Sequence, residues 1–312
     1  MATMKAVRVH SYGGPEVLAY EDAPRPEPKP GEVLIRIAAT AVNPVDWKIR
    51  EGEMKDWLQL PLPLIPGAEF SGVVEEVGAG VSRLKQGDEI YGYTSLMHCS
   101  AYAEHIAAKE SEVALKPSSL DFVEAASIPV GALTSWQAFD LAGLSAGQKV
   151  LIHAAAGGVG SLGAQLAKIR GAYVIGTASA RNADFLKALG VDEVIDYTKT
   201  RFEEAVKDVD VVFDLIGGET QARSFEVLKK SGFVVSAVHP PPEELLTKYG
   251  AQGAMVAVQP NAGQLEEFTG FIESGRLKPL VETVLRLDEA ARAQELSQGG
   301  RSRGKIVLKV TD

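Results

Sequence analysis

Between the apolar run Lys149-Val150-Leu151-Ile152-His153 and a segment where Val159, Leu162, Leu166 and Ile169 recur at helical spacing lies Ala154-Ala155-Ala156-Gly157-Gly158-Val159-Gly160. Set against the G-x-G-x-x-G fingerprint, Ala155 takes the first position, Gly157 the second and Gly160 the third. A residue without a side chain at 157 lets backbone approach a pyrophosphate, and one at 160 lets the helix pack closely on the preceding strand. The helix start then offers unpaired N–H groups and a positive dipole to phosphates. A glycine cluster alone also serves as a tight turn. Here it follows a strand pattern and opens a helix pattern, which is the context a dinucleotide needs, so Ala156, Gly157, Gly158, Val159 and Gly160 are read as cofactor-binding.

The end of the next strand selects the dinucleotide. A site for NAD usually carries Asp or Glu there, about 20 residues past the loop, to accept from the ribose 2′-hydroxyl. This chain has Thr177-Ala178-Ser179-Ala180-Arg181-Asn182 at that place, with no carboxylate. Ser179 and Asn182 can offer polar groups and Arg181 a charged fork to a 2′-phosphate, which points to NADPH. Tyr197, after the third strand, is expected beside the adenosine end. The plainer readings are that Ser179 and Asn182 cap the following helix and that Arg181 is a solvated charge.

These residues need a frame. From Lys149 to Val258 strand and helix patterns alternate: strands at Ala172–Thr177, Glu193–Asp196, Asp210–Asp214, Gly232–Ser236 and Met255–Val258, with a helix at Ala183–Leu189 closed by Gly190. That alternation predicts a doubly wound parallel sheet. Before about residue 120 the texture is short strands and glycine turns, at Met4–His10, Glu32–Ile37, Phe70–Gly78 and Gly87–Gly92, which suggests a small antiparallel barrel. Prolines 24, 26, 28 and 30 alternate in a connector that excludes helix and ladder. Helix patterns follow at Asp121–Ala126 and Gly131–Leu141. After residue 263 come a helix (Leu265–Ser274), a strand (Val281–Leu285), a helix (Asp288–Leu296) and a last strand within Gly304–Val310, which do not extend the parallel sheet. The expected division is 1–125 completed by 263–312, around a nucleotide-binding domain at 126–262.

Composition narrows the classes. The 312 residues are too many for one compact core. A formal charge of −9, from 32 basic and 41 acidic side chains, argues against a nucleic-acid partner. No segment has the length and apolarity of a bilayer span or signal peptide, so a cytoplasmic protein is expected. Cys99 is the single cysteine; it permits neither an intrachain disulfide nor a Cys-x-x-Cys metal site and reads as a small filler. His98, His105, His153 and His239 lack metal-like spacing.

Together with Asn43-Pro44-Val45-Asp46-Trp47-Lys48 and Pro66-Gly67-Ala68-Glu69-Phe70-Ser71-Gly72, the loop Ala156-Gly157-Gly158-Val159-Gly160 resembles the medium-chain dehydrogenase/reductase superfamily along nearly the whole chain. Within it, the Asn-Pro-x-Asp segment resembles the quinone oxidoreductase (zeta-crystallin-like) branch. The Trp-Lys continuation and Ser-Ala-Arg-Asn are similar to plant and bacterial members that reduce α,β-unsaturated carbonyls. The resemblance implies an α/β protein with a GroES-like barrel, an inserted Rossmann domain and a homodimeric state. It also implies cofactor contacts from Val130 and Thr134, and from Ile216, Ala237 and Val238 at carboxyl ends of strands, each of which alone reads as core or turn.

Zinc members of that superfamily need a cysteine at the place of Asn43, a histidine at that of Ala68 and a further ligand near Gly131. Glu69 alone remains of the set, too little for a tetrahedral site, so no metal is expected. A quinone or enone already delocalises the charge that hydride brings, so hydrogen-bond donors suffice. Asn43 is read as positioning the nicotinamide or donating to the carbonyl. Lys48 is either a cationic donor or a surface lysine, and Asp46 is read mainly as holding the loop. Many relatives carry a tyrosine in this stretch, where this chain has Trp47 and Lys48, so the proton donor is left open. An enoyl-thioester reductase and a catalytically idle NADPH-binding sensor or structural protein are the alternatives.

Overall fold

The computed structural model describes residues 2–311, so Met1 and Asp312, outer bounds of the expected segments, lie outside the described residues. The chain divides into two compact units. The first holds the chain up to Pro129, Pro260–Gly275 and the residues from Pro279 on; the second holds Val130–Gln259 with Arg276–Lys278.

In the first unit the strands are β1 (Thr3–Val9), β2 (Leu18–Pro24), β3 (Glu32–Val42), β4 (Glu69–Val77), β5 (Glu89–Tyr93), β6 (His105–Lys109) and β7 (Val113–Leu115). The second contributes β8 (Lys149–Ile152), β9 (Tyr173–Ala178), β10 (Glu193–Asp196), β11 (Val209–Asp214), β12 (Leu228–Ser236) and β13 (Gln252–Met255). The chain then returns to the first unit for β14 (Val281–Arg286) and β15 (Lys305–Lys309).

β3 is the spine of the first unit. It pairs antiparallel with β4, β6 and β15, so Val33, Leu34, Ile35 and Ile37 are all fully buried. The sheet runs β14-β15-β3-β4-β5-β7, and β1 with β2 forms a separate antiparallel pair. Ile35, Ile37, Phe70, Ile90 and Ile106 fill one core. The returning helix Ala262–Glu273 is tied to this unit where the Tyr91 hydroxyl donates to the Leu265 carbonyl at 2.6 Å.

The second unit is a six-stranded sheet in the order β10-β9-β8-β11-β12-β13, every neighbouring pair parallel. The order reverses beside β8, and ligands of open α/β sheets bind at the carboxyl ends of strands at such a switch point. The glycine loop leaves β8 there.

Three expectations need correction. Pro24, expected in a connector free of ladder, ends β2 opposite Thr3, since the end of an outer strand tolerates a residue without an N–H. The last parallel strand is Gln252–Met255, not Met255–Val258. As an outer strand paired only with β12 it is half-exposed, so its apolar content does not mark it. β12 begins at Leu228, four residues earlier than the run Gly232–Ser236, because its first turn of chain is polar and exposed.

Candidate functional site

In the parallel-sheet unit, the loop after β8 is held by its own backbone. Ala154 sits at φ 48°, the Gly157 amide donates to the Ala154 carbonyl at 2.9 Å, and the Ala155 amide to the Thr177 carbonyl at 3.0 Å. Gly157 then caps the helix Gly158–Ile169. A Cβ at Gly160 would lie 2.4 Å from the Ala154 oxygen and 2.8 Å from the Ala155 Cα, so the helix approaches the loop as closely as backbone allows.

β9 ends at Ala178 and leads into Ser179–Asn182, a single tight turn in which Arg181 is exposed and Ser179 half-buried. Neither the Ser179 nor the Asn182 side chain caps the helix that follows, so the capping alternative fails. The Asn182 amide nitrogen instead lies 3.4 Å from the Ser179 hydroxyl. The Tyr197 amide donates to the Ala178 carbonyl at 3.3 Å, which brings exposed Tyr197 to the same strand end. Sequence reasoning missed Asp196, which stands in register with Ala178 from the neighbouring strand. Its carboxylate accepts from the Thr198 hydroxyl at 2.7 Å and the Thr198 amide at 3.1 Å, and these bonds, the hydroxyl's foremost, hold it below the usual carboxylate range.

Behind the turn, His153 is buried between Thr177 (Nδ1 to Oγ1, 3.1 Å) and Ser224 (Nε2 to Oγ, 2.9 Å). Ser224 donates its hydroxyl to the Thr220 carbonyl, so Nε2 carries the ring proton and Nδ1 accepts from Thr177. Burial pushes this imidazole down to about 4, which keeps it neutral and structural. The turns holding Ile216, Ala237 and Val238 share a single pin. Buried Asp214 accepts from the amides of Ile216 and Gly217, from Gln221 and from the Ser236 hydroxyl, all within 3.0 Å. Ser236 in turn accepts from the Val238 amide at 3.1 Å. Val130 and Thr134, one helical turn apart on Pro129–Leu141, share a helix face.

In the first unit, Asn43 follows β3 directly and caps the helix Pro44–Glu51. Its backbone N–H donates to Asp46 Oδ2 at 2.8 Å, and the Tyr102 hydroxyl donates to the same oxygen at 2.9 Å. Its side-chain Nδ2 donates to Glu69 Oε1 at 2.8 Å, and its Oδ1 accepts from Lys305 Nζ at 2.6 Å. Lys305 also donates to Glu69 Oε1 at 2.6 Å and to the Val42 carbonyl at 3.2 Å. Asn43, Glu69 and Lys305 are all buried. The cation that reaches Asn43 is therefore Lys305 and not Lys48, which is half-buried with its Nζ 5.6 Å from the Trp47 ring centre.

A family profile described as an alcohol dehydrogenase GroES-like domain matches residues 29–122, and one described as zinc-binding dehydrogenase matches residues 189–308. The 2-methylene-furan-3-one reductase of Solanum lycopersicum is 38% identical over 98% of this chain and 79% of its own length. The NADPH-dependent alkenal/one oxidoreductase of Arabidopsis thaliana is likewise 38% identical, with the same coverage of each chain. Among solved structures, the Coxiella burnetii quinone oxidoreductase superposes with TM-score 0.92 at 36% identity, covering 99% of this chain and 100% of that one. The Escherichia coli quinone oxidoreductase complexed with NADPH gives TM-score 0.89 at 29% identity, over 98% and 100%. The chain belongs to the medium-chain dehydrogenase/reductases, in their quinone oxidoreductase branch. The GroES-like and Rossmann halves expected from the resemblance are the two folds seen here.

In this quinone oxidoreductase-like chain the residues do not fit a zinc ion. Among the described residues no three His, Cys, Asp or Glu side chains form a metal-ligand group. At the place of the superfamily's ligands Glu69 faces an ammonium, and a divalent ion would have to displace it. Cys99 is buried, and burial pushes its thiol up to about 12, too high for a ready thiolate.

Burial pushes Asp46 up to about 6, against the opposing pull of the bonds from Asn43 and Tyr102. Its folded value lies above the unfolded one, about 3.9. Between about pH 4 and about pH 6 the folded state thus keeps a proton that the unfolded chain has released, and stability falls as pH rises, by up to about 3 kcal/mol. Asp46→Asn is expected to remove that fall. Denaturant unfolding of both proteins across the window checks it, and parallel pH curves would refute the assignment.

Proposed function

We propose that this protein is an NADPH-dependent oxidoreductase that passes hydride to a quinone or to the β-carbon of an α,β-unsaturated carbonyl, without zinc. The observation that carries this reading is the Asn43–Glu69–Lys305 cluster: a fixed amide and an internal cation stand where relatives with zinc would hold metal. NADPH, when bound, supplies the hydride. The acceptor's conjugation spreads the incoming charge, and the protein needs only oriented N–H donors at its oxygen. Asn43 supplies such a donor and Lys48 a nearby positive charge, while Asp46 holds the helix start that carries both.

The turn Ser179–Asn182 and Tyr197 support NADPH, as does the NADPH dependence named for the Arabidopsis relative. The acceptor is a small molecule, and the net charge of −9 opposes a nucleic-acid partner. No helix among the described residues is long and apolar enough to cross a membrane, which accords with a cytoplasmic site of action. The outer strands β10 and β13 offer edges through which a homodimer can pair.

The test is NADPH oxidation against quinones, alkenals and enoyl thioesters, before and after prolonged chelation. Turnover with quinones or enones, unchanged by the chelator, is expected. Lys48→Met is expected to slow single-turnover hydride transfer to enones more than to quinones. NADPH binding without consumption by any acceptor would reduce the chain to a binding protein, and activity lost to chelation and restored by zinc would overturn the metal-free reading.

A further inference from the structure

We infer that Lys305 is a positioning residue for the reduction: its buried ammonium dictates which way the Asn43 amide faces. The placement follows from strand register. β15 pairs antiparallel with β3 so that Ile306 opposes Val42, and β3 pairs with β4 so that Thr40 opposes Phe70. The first residue of β15, the first of β4 and the residue after β3 are thereby gathered at one end of the sheet. The Lys305 side chain is 5% exposed and that of Glu69 fully buried.

An amide side chain is two-faced, with a carbonyl that only accepts and an NH2 that only donates. An ammonium can only donate, so it must meet Oδ1; a carboxylate can only accept, so it must meet Nδ2. Lys305 at 2.6 Å and Glu69 at 2.8 Å therefore impose the same orientation from two sides. Glu69 takes one of the two Nδ2 hydrogens, and the direction of the other is fixed with it. That second hydrogen is the donor assigned to the acceptor or nicotinamide above, so this inference rests on the proposed function.

A buried ion pair stabilises little against well-packed neutral residues, so stability alone is a weak account of it. Orientation is a better one. Without the ammonium, the Val42 carbonyl and Asn43 Oδ1, now bridged by Lys305 at 3.2 and 2.6 Å, would face each other as two acceptors. With a neutral amide at 69, which can donate to Oδ1 as readily as it accepts from Nδ2, the Asn43 amide would gain a hydrogen bond by turning Nδ2 toward Val42, and the productive orientation would become the minor one.

Lys305→Met alone leaves Glu69 buried without its cation and risks misfolding, so the informative protein is the double variant Glu69→Gln/Lys305→Met. It is expected to melt near the wild-type temperature and to bind NADPH equally well, while single-turnover hydride transfer falls about tenfold, the population shift one net hydrogen bond produces. A wild-type rate at a wild-type melting temperature would show that the ion pair does not set the amide for the reaction and overturn the inference. A second readout needs no turnover. The isotope-labelled side-chain amide of Asn43, assigned by its loss in Asn43→Ser, should give one resonance set in the wild type and a shifted or doubled set in the double variant. An unchanged set overturns the inference. If the wild type reduces no acceptor, the functional reading fails, and the amide spectrum still decides what Lys305 does.

Discussion

Arg181→Ala is expected to weaken NADPH binding about 10- to 100-fold and leave NADH binding nearly unchanged. The factor is that of one charge-assisted hydrogen bond, roughly 1.5–3 kcal/mol. The turn after β9 makes the dependence steep. In the proposed site a 2′-phosphate would meet the Ser179 hydroxyl, but the neighbouring strand ends in Asp196, whose negative charge would oppose it. Its Thr198 bonds keep that carboxylate ionised, so a guanidinium is needed to reverse the local sign. Titrating both cofactors against both proteins checks this. Equal losses for NADPH and NADH would mean that Arg181 supports the fold and not the phosphate.

Gly160→Ala and Gly157→Ala are expected to fail in different ways. At Gly160 the added methyl meets backbone at 2.4 and 2.8 Å, and backbone cannot swing aside. Forcing loop and helix apart is expected to cost about 1–3 kcal/mol. The parallel-sheet unit should melt several degrees lower, with weakened NADPH binding as a consequence. At Gly157 the nearest protein atom to the new methyl is the Ala154 oxygen at 3.3 Å, a contact a small shift relieves. That variant should keep its melting temperature and lose NADPH affinity, since in the proposed site the methyl would stand where a pyrophosphate approaches the backbone. Melting curves and cofactor titrations on both proteins separate the roles. The same melting temperature for the two variants would remove the distinction.

What was legible in the sequence was local. The glycine loop is a contiguous segment whose flanking periodicities differ, and β8 and Gly158–Ile169 fall where those periodicities change. Long-range facts were not legible. Lys305 reads as a charge at a strand start, and nothing within several residues says that it is buried. That becomes evident only when β15 and β4 are known to flank β3, and the clue would have been that Glu69, on an apolar strand, must have a cation somewhere. Asp196 escaped for the same reason: the search for a carboxylate followed β9 alone, while the parallel pairing delivers one from β10. β2 was passed over because Leu-Ala-Tyr-Glu-Asp-Ala-Pro carries too few apolar residues to alternate, and its order comes from pairing with β1.

The position of β15 also sets an order of assembly. A chain made from its N-terminus holds β3 early, but β15, which pairs with it, is synthesised more than 260 residues later. The unit Val130–Gln259 is nearly continuous and can fold as soon as it emerges, while the unit around it waits with the last residues of β3, Ala39–Val42, unpaired beside β6. Its completion closes a loop between residues 236 positions apart, Glu69 and Lys305, and that closure also sets the Asn43 amide. A chain cut before residue 305 would keep every segment of its nucleotide fold and lack the lysine, so the last strand of the sheet carries the condition for chemistry.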